Sequence, residues 1–262
     1  MSVKFEGSSF AIVTGVTRGF GLAVCEEMCK SMEEGSVIVM VGRNEVKMNE
    51  SAQQVKKVCL KNVQIIKVVF DLSNLAGIQS AVDECFSSFD LLNYKNFFLV
   101  NNAATLGDTS PFTGFLDHQK VSDFFGLNLS SFLLFTSNVL NKIKSFKISN
   151  KFLVNITSLC ALKPQTGCSM YCAAKSAREM LFKVVAGENP ELRVLSWSPG
   201  VMNTDMLDEW MLNEVGGEGV EYVKKVRDQG KCIDCDESAL KMLQVLKGGH
   251  FENGAHVDFY DV

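Results

Sequence analysis

The sequence predicts a doubly wound α/β fold: a parallel sheet of about seven strands, covered by helices on both faces, within a single domain spanning residues 1–262. Two observations predict it. Short runs rich in Val, Ile, Leu and Phe alternate with longer segments that carry charges at helical spacing, which is the rhythm of βαβ units. The runs are also apolar without alternation, as suits strands buried on both sides rather than half-exposed antiparallel ones.

The first strand, 10–14, runs into a glycine-containing turn and a helix over 22–32. The second, 36–41, ends at Gly42-Arg43-Asn44, and the third, 63–70, closes on Asp71. After the fourth strand, 97–101, the segment LNLSSFLLFTSNVL reads as a helix buried against the sheet or against a second subunit. A fifth strand, 152–157, precedes the alanine-containing helical segment that begins at Ser169; the sixth is 193–197 and the last 255–259. Residues 201–230 mix helical patterns with a Gly-Gly-x-Gly break, so they are expected to leave the sheet and cover a substrate as a mobile lid. The four prolines, at 111, 164, 190 and 199, all lie between periodic segments.

With 262 residues, 47% hydrophobic and 21% charged, the chain is neither disordered nor collagen-like. A chain of this length buries about three quarters of its unfolded surface and needs no disulfide or metal for stability. Nine cysteines, an odd number, and the opening MSVKFEGSSF without a basic stretch and apolar run predict a cytosolic protein with reduced thiols. A net charge of -4 with no run of five like charges excludes nucleic acid and anionic membrane as partners. The longest apolar stretches fall short of the ~18 residues of a spanning helix.

Strand, glycine loop and helix occur in order around Thr14-Gly15-Val16-Thr17-Arg18-Gly19-Phe20-Gly21. Glycines let the backbone approach a pyrophosphate, and the free N–H groups at a helix start stabilise its charge. The end of the second strand meets the adenosine ribose in such folds, and an acid there binds its 2'-hydroxyl. Here Gly42-Arg43-Asn44 holds no acid and Arg18 projects from the same side, so two guanidinium groups predict NADPH over NADH. Asp71 is placed to meet the adenine amino group or to cap a helix, with Leu72 beside it and Asn101 at the end of the fourth strand.

Tyr171 and Lys175 lie one turn apart on a helical segment, hence on one face. A phenol near its ordinary value of about 10 is a poor proton shuttle, and the Lys175 ammonium is expected to draw it down toward neutrality. Ser158, just past the strand FLVNIT, is placed to hydrogen-bond a substrate carbonyl, with Leu159 next to it.

Through this glycine loop, Asn101-Asn102-Ala103-Ala104, Ser158 and Tyr171-Cys172-Ala173-Ala174-Lys175, nearly the whole chain resembles the short-chain dehydrogenase/reductase family, whose fold is Rossmann-type. Within the family it is most similar to members that reduce pterin ketones, through T-G-x-x-R-G-F-G, Ser158-Leu159-Cys160-Ala161-Leu162 and the ending Gly254-Ala255-His256-Val257-Asp258-Phe259-Tyr260-Asp261. The resemblance implies that Tyr171 donates the proton, Ser158 holds the carbonyl, Lys175 contacts the nicotinamide ribose and Asn128 supports a relay water. It places Pro199-Gly200 with Met202, Asn203, Thr204, Asp205, Met206 and Leu207 beside nicotinamide and substrate, and Asp258 on the amino and ring N–H groups of a pterin. The reaction implied is hydride transfer from NADPH to a side-chain ketone of sepiapterin or 6-pyruvoyl-tetrahydropterin, leading to tetrahydrobiopterin, in a homodimer. Ala104 stands where such members usually carry glycine, which costs most if the site needs positive φ; Val16 and Thr17 replace the commoner Ala and Ser.

Cys232-Ile233-Asp234-Cys235 lacks a second pair or spaced histidines, so no zinc site is expected. Cys25 and Cys29 read as core packing, and His118, His250 and His256 as solvated or locally bonded. Two competing readings remain: a reductase of other carbonyls such as small diketones or steroids, and a nicotinamide-binding sensor without turnover, against which Ser158, Tyr171 and Lys175 count.

Overall fold

In a computed structural model describing residues 4–87 and 89–262, each of the seven runs is a strand of one parallel sheet. The strands are β1 (Ser9–Thr14), β2 (Val37–Gly42), β3 (Gln64–Val69), β4 (Asn96–Asn101), β5 (Asn150–Ile156), β6 (Leu192–Ser198) and β7 (Ala255–Asp258). Their order is β3-β2-β1-β4-β5-β6-β7. Phe10 of β1 pairs with Val37 on one side and Phe97 on the other, so the order reverses between β1 and β4. A crevice opens beyond the carboxyl ends at such a reversal.

Alternation along β1 sends Ala11 and Val13 to one face and Phe10 and Ile12 to the other, all completely buried. The first face is covered by α1 (Gly19–Ser31), α2 (Glu45–Val58) and α9 (Cys235–Gly248). The second is covered by α3 (Ile78–Phe86), α5 (Ser131–Ile143) and α6 (Ser169–Glu188). Phe10 there sits among the rings of Phe86, Phe89, Tyr94 and Phe97 at centroid distances of 5.3 to 6.2 Å. Each fully buried ring of this kind stabilises the fold by roughly 1.5–3 kcal/mol.

The five inner strands are buried on both faces as expected, whereas the edge strands are not. β3 exposes Gln64, Lys67 and Val69, and β7 is half-buried throughout, because an edge strand is covered less completely. The predicted helix after LNLSS forms, preceded by α4 (His118–Phe125) and a wide π turn at Gly126–Ser130. Residues 201–230 do leave the sheet, as α7 (Asp205–Met211) and α8 (Gly217–Asp228). A β-bridge between Met202 and Ile233 closes the base of this excursion.

One expectation is corrected. Cys29 of α1 and Cys59, just past α2, are joined as a disulfide, with Cα atoms 5.2 Å apart, within reach of a bridge; the thiols are therefore not all free. The two helices packing side by side bring these positions together, which no spacing in the sequence reveals. Cys25, one turn before Cys29, stays a buried free thiol. No described helix is long and apolar enough to cross a membrane.

Candidate active site

The loop between β1 and α1 is shaped by contact as much as by conformation. Gly15 and Gly19 adopt φ of +71° and +55°. A Cβ on Gly15 would lie 2.8 Å from Ala103 Cα, and one on Gly21 only 2.2 Å from the Gly15 carbonyl oxygen. Asn102, beyond β4, fastens this loop: its Nδ2 donates to the carbonyls of Thr14 (3.0 Å) and Gly15 (2.9 Å). Arg18 is the N-cap of α1 and no side chain caps the helix, so first-turn N–H groups remain free for an anion.

This loop forms one end of a cleft of about 540 Å³ at the sheet reversal. Gly15, Thr17, Arg18, Gly19 and Phe20 line that end, with Arg43, Asp71 and Leu72 alongside. Tyr171 and Lys175 line the other end together with Met202, Asn203, Thr204, Asp205 and Met206. Two sequence-distant groups are thus brought into one space. Arg18 is ion-paired with Asp205 across the cleft, both side chains well exposed.

Other sequence-predicted residues stand outside this wall. Val16 is completely buried in the core, and Gly21 packs under the loop. Asn44 caps α2, accepting from the Lys47 N–H at 2.9 Å, and Asn101 donates through Nδ2 to Thr136 Oγ1 at 3.1 Å. Leu207 is buried in α7, and Gly200 sits at φ +81° against Ile233. Asp71 lines the cleft while its carboxylate accepts from both the N–H and the hydroxyl of Ser73, so it serves as a turn cap.

Ser158 lies two residues past β5 and caps a short turn, Leu159–Ala161, its Oγ accepting from the Cys160 N–H at 3.2 Å; Leu159 is exposed. Asn128 is buried in the π turn, where Oδ1 accepts from the Thr105 N–H (3.0 Å) and Nδ2 donates to the Phe124 carbonyl (3.1 Å). Asp258 accepts from the Ser198 hydroxyl at 2.5 Å and from the Tyr260 N–H at 3.1 Å, capping the final turn.

The expected acidification of Tyr171 by Lys175 is not what the geometry produces. Lys175 Nζ lies 5.4 Å from the phenol ring centre and donates to the Ile156 carbonyl at 2.6 Å. Burial pushes the phenol well above its usual value, and burial likewise lowers Lys175. Desolvation outweighs the one opposing influence, the buried Arg178 guanidinium, and favours the protonated phenol. Ala104 brings no strain either: among the described residues only glycines adopt positive φ.

Two residues of α6 escaped the sequence reading. Buried Arg178 donates to Asn155 Oδ1 (3.1 Å) and to the carbonyls of Asn101 (2.8 Å) and Ala103 (3.3 Å), fixing the turn beneath the glycine loop. Buried Glu179 accepts from Thr157 Oγ1 at 2.6 Å and meets His256 Nδ1 at 2.5 Å, joining the ends of β5 and β7 to the helix. Their positions three and four residues after Lys175, hence on its face, were the available signal.

Comparison with known proteins agrees with this arrangement. A model of the short chain dehydrogenase family matches residues 9–214. Sepiapterin reductase of Mus musculus is 38% identical, covering 97% of this chain and 98% of that enzyme; the Rattus norvegicus enzyme is 34% identical, covering 98% of each. The crystal structure of L-sorbose reductase from Gluconobacter frateurii, complexed with NADPH and L-sorbose, superposes with a TM-score of 0.76 at 22% identity, covering 98% of this chain and 97% of that one. The last likeness is one of fold. The family match and the full-length similarity establish that the chain belongs to the short chain dehydrogenase family of NAD(P)H-using oxidoreductases, as a homologue of sepiapterin reductase.

Proposed function

We propose that the chain is an NADPH-dependent reductase of pterin side-chain ketones, such as sepiapterin and 6-pyruvoyl-tetrahydropterin, acting in tetrahydrobiopterin formation as a single-domain, cytosolic homodimer. The observation that carries this reading is the shared cleft: Tyr171 and Lys175 face the same space as an uncapped helix start and a glycine loop with no room for a Cβ at Gly15 or Gly21.

The pyrophosphate of the dinucleotide is taken by the loop and the first turn of α1. Arg43 and Arg18 hold the 2'-phosphate, with Asn44, Asp71 and Leu72 around the adenosine and Asn101 beneath it. When bound, the cofactor supplies the hydride. Ser158 donates a hydrogen bond to the substrate carbonyl, and Tyr171 delivers its proton to the oxygen that gains charge. A protonated phenol, kept so by burial, is the form that reduction requires. Lys175 holds the nicotinamide ribose and Asn128 a water through which the phenol is reprotonated. Gly200, Leu159 and residues 201–230, with α7 and α8, cover the substrate, and Asp258 accepts hydrogen bonds from the pterin. Exposed Leu133 and Leu134 on α5, with Met180 and Val184 on α6, form the subunit contact.

The assay is NADPH oxidation with sepiapterin beside diacetyl. Pterin preference is expected, and Asp258→Asn is expected to raise the pterin KM while leaving diacetyl turnover unchanged. One observation favours a second reading, a general dicarbonyl reductase: the Asp258 carboxylate is already engaged by Ser198 and stands outside the cleft wall. Equal turnover of both substrates, insensitive to Asp258→Asn, decides for that reading.

A further inference from the structure

Three of the free cysteines gather around the proton-donating tyrosine. Cys160 lies in the turn just beyond Ser158, Cys168 stands at the N-cap of α6 and Cys172 follows Tyr171. Cys160, Cys168 and Tyr171 share one apolar cluster, against which Cys172 packs.

Two hydrogen bonds press this face of α6 onto the segment around Ser158. Lys175 Nζ donates to the Ile156 carbonyl at 2.6 Å and Ser176 Oγ to the Ala161 carbonyl at 2.7 Å. Cys172 lies one turn before Ser176, and Cys160 immediately precedes Ala161. The same packing therefore brings the Cys160 and Cys172 side chains together in the apolar cluster around Tyr171.

The other thiols are in different circumstances. Cys25 and Cys85 are buried, and burial pushes their thiols up, to about 12 for Cys85; Cys160 is raised as well, by its hydrogen bond to Cys172 and by burial, so it acts only after Cys172 has been oxidised beside it. Cys168 is pushed up to about 11 by burial. Cys172 is only half-buried, and the hydrogen bond from Cys160 holds it well below the usual thiol value.

We propose that Cys160 and Cys172 form an oxidant-sensitive dithiol, a modification site that hydrogen peroxide converts into a disulfide tying the Ser158 turn to the Tyr171 helix. The Cys172 thiolate attacks one peroxide oxygen; the O–O bond breaks, an S–O bond forms, and the departing hydroxide takes up a proton as water. Peroxide is reduced and Cys172 becomes a sulfenic acid. The Cys160 sulfur then attacks the Cys172 sulfur, expelling hydroxide, which leaves as water with the Cys160 proton. A dithiol reductant reverses the bond by exchange. The link constrains the two segments that carry Ser158 and Tyr171, and a shift of the order of 1 Å between reacting groups costs about 100-fold in rate.

The experiment treats the intact protein with hydrogen peroxide and maps its peptides by mass spectrometry without reduction. The expected result is a Cys160–Cys172 linked peptide, a fall in NADPH-dependent turnover of about tenfold or more, and recovery with dithiothreitol. Cys172→Ser and, as a second variant, Cys172→Ala are expected to show neither the link nor the reversible loss. A Cys168–Cys172 link, no link at all, or variants that lose activity to peroxide as fast as the parent would overturn the proposal. Because the peptide map reads sulfur connectivity without turnover, it tests the dithiol whether or not the protein reduces pterins.

Discussion

At the scale of single residues, the phenol of Tyr171 and the ammonium of Lys175 are set by burial more than by each other. Burial favours the neutral acid, so the proton leaves only as the pH rises past the ordinary tyrosine value of about 10. Reduction, which uses the protonated phenol, is expected to hold its rate through neutral and mildly alkaline pH; phenolate absorbance, compared between the parent and Tyr171→Phe, should show no group titrating below about 10. The same variant should lower kcat by about 10²–10⁴-fold with an unchanged melting temperature, since only a hydroxyl is deleted. Arg43→Ala and Arg18→Ala are each expected to raise the KM for NADPH several-fold more than that for NADH, because only the former carries the extra phosphate. Equal losses for the two cofactors would remove the 2'-phosphate argument. The residue types at this site were legible because chemistry constrains them. Their partners were not: that Lys175 donates to Ile156, or that Cys29 finds Cys59, depends on how separate elements pack.

At the scale of elements, β1, the glycine loop and α1 act as one piece with the turn after β4. Gly21 stands within α1, where alanine is ordinarily the better helix former, so Gly21→Ala would stabilise an isolated helix. Here the added methyl meets the Gly15 carbonyl and Asn102, so the variant is expected to lose about 1–3 kcal/mol and to bind NADPH more weakly, as read by thermal unfolding and cofactor titration. A more stable variant would show that this contact is not tight. Inner strands such as β1 and β4 were legible as continuous apolar runs because both their faces are dry. β3 and β7 match that reading only in position, since at an edge the same chain must also meet water. α6 carries more of the site than its Tyr-Lys spacing announced: Arg178 and Glu179, farther along the same face, hold the ends of β4, β5 and β7 in place.

For the whole molecule, the apolar positions left on the outer faces of α5 and α6 bear on assembly. Replacing Leu133 and Met180 together by Glu is expected to yield a monomer by sedimentation without loss of the fold, because both side chains already face water in the single chain. A dimer that survives the double change would place the contact elsewhere. The sequence left this helix open between sheet and subunit, and the structure packs one face on the sheet and leaves the other to solvent: Phe132, Phe135 and Val139 turn inward while Leu133 and Leu134 do not. The bridge from Arg18 to Asp205 spans the molecule in another sense, joining the start of the first helix to the start of the seventh. A guanidinium presents five N–H donors in a planar fork, so the single charge of Arg18 is shared among whatever anions reach it. On the proposed NADPH-dependent reading, a 2'-phosphate beside Arg43 is expected to draw on the same cation, and so to loosen its hold on the start of α7.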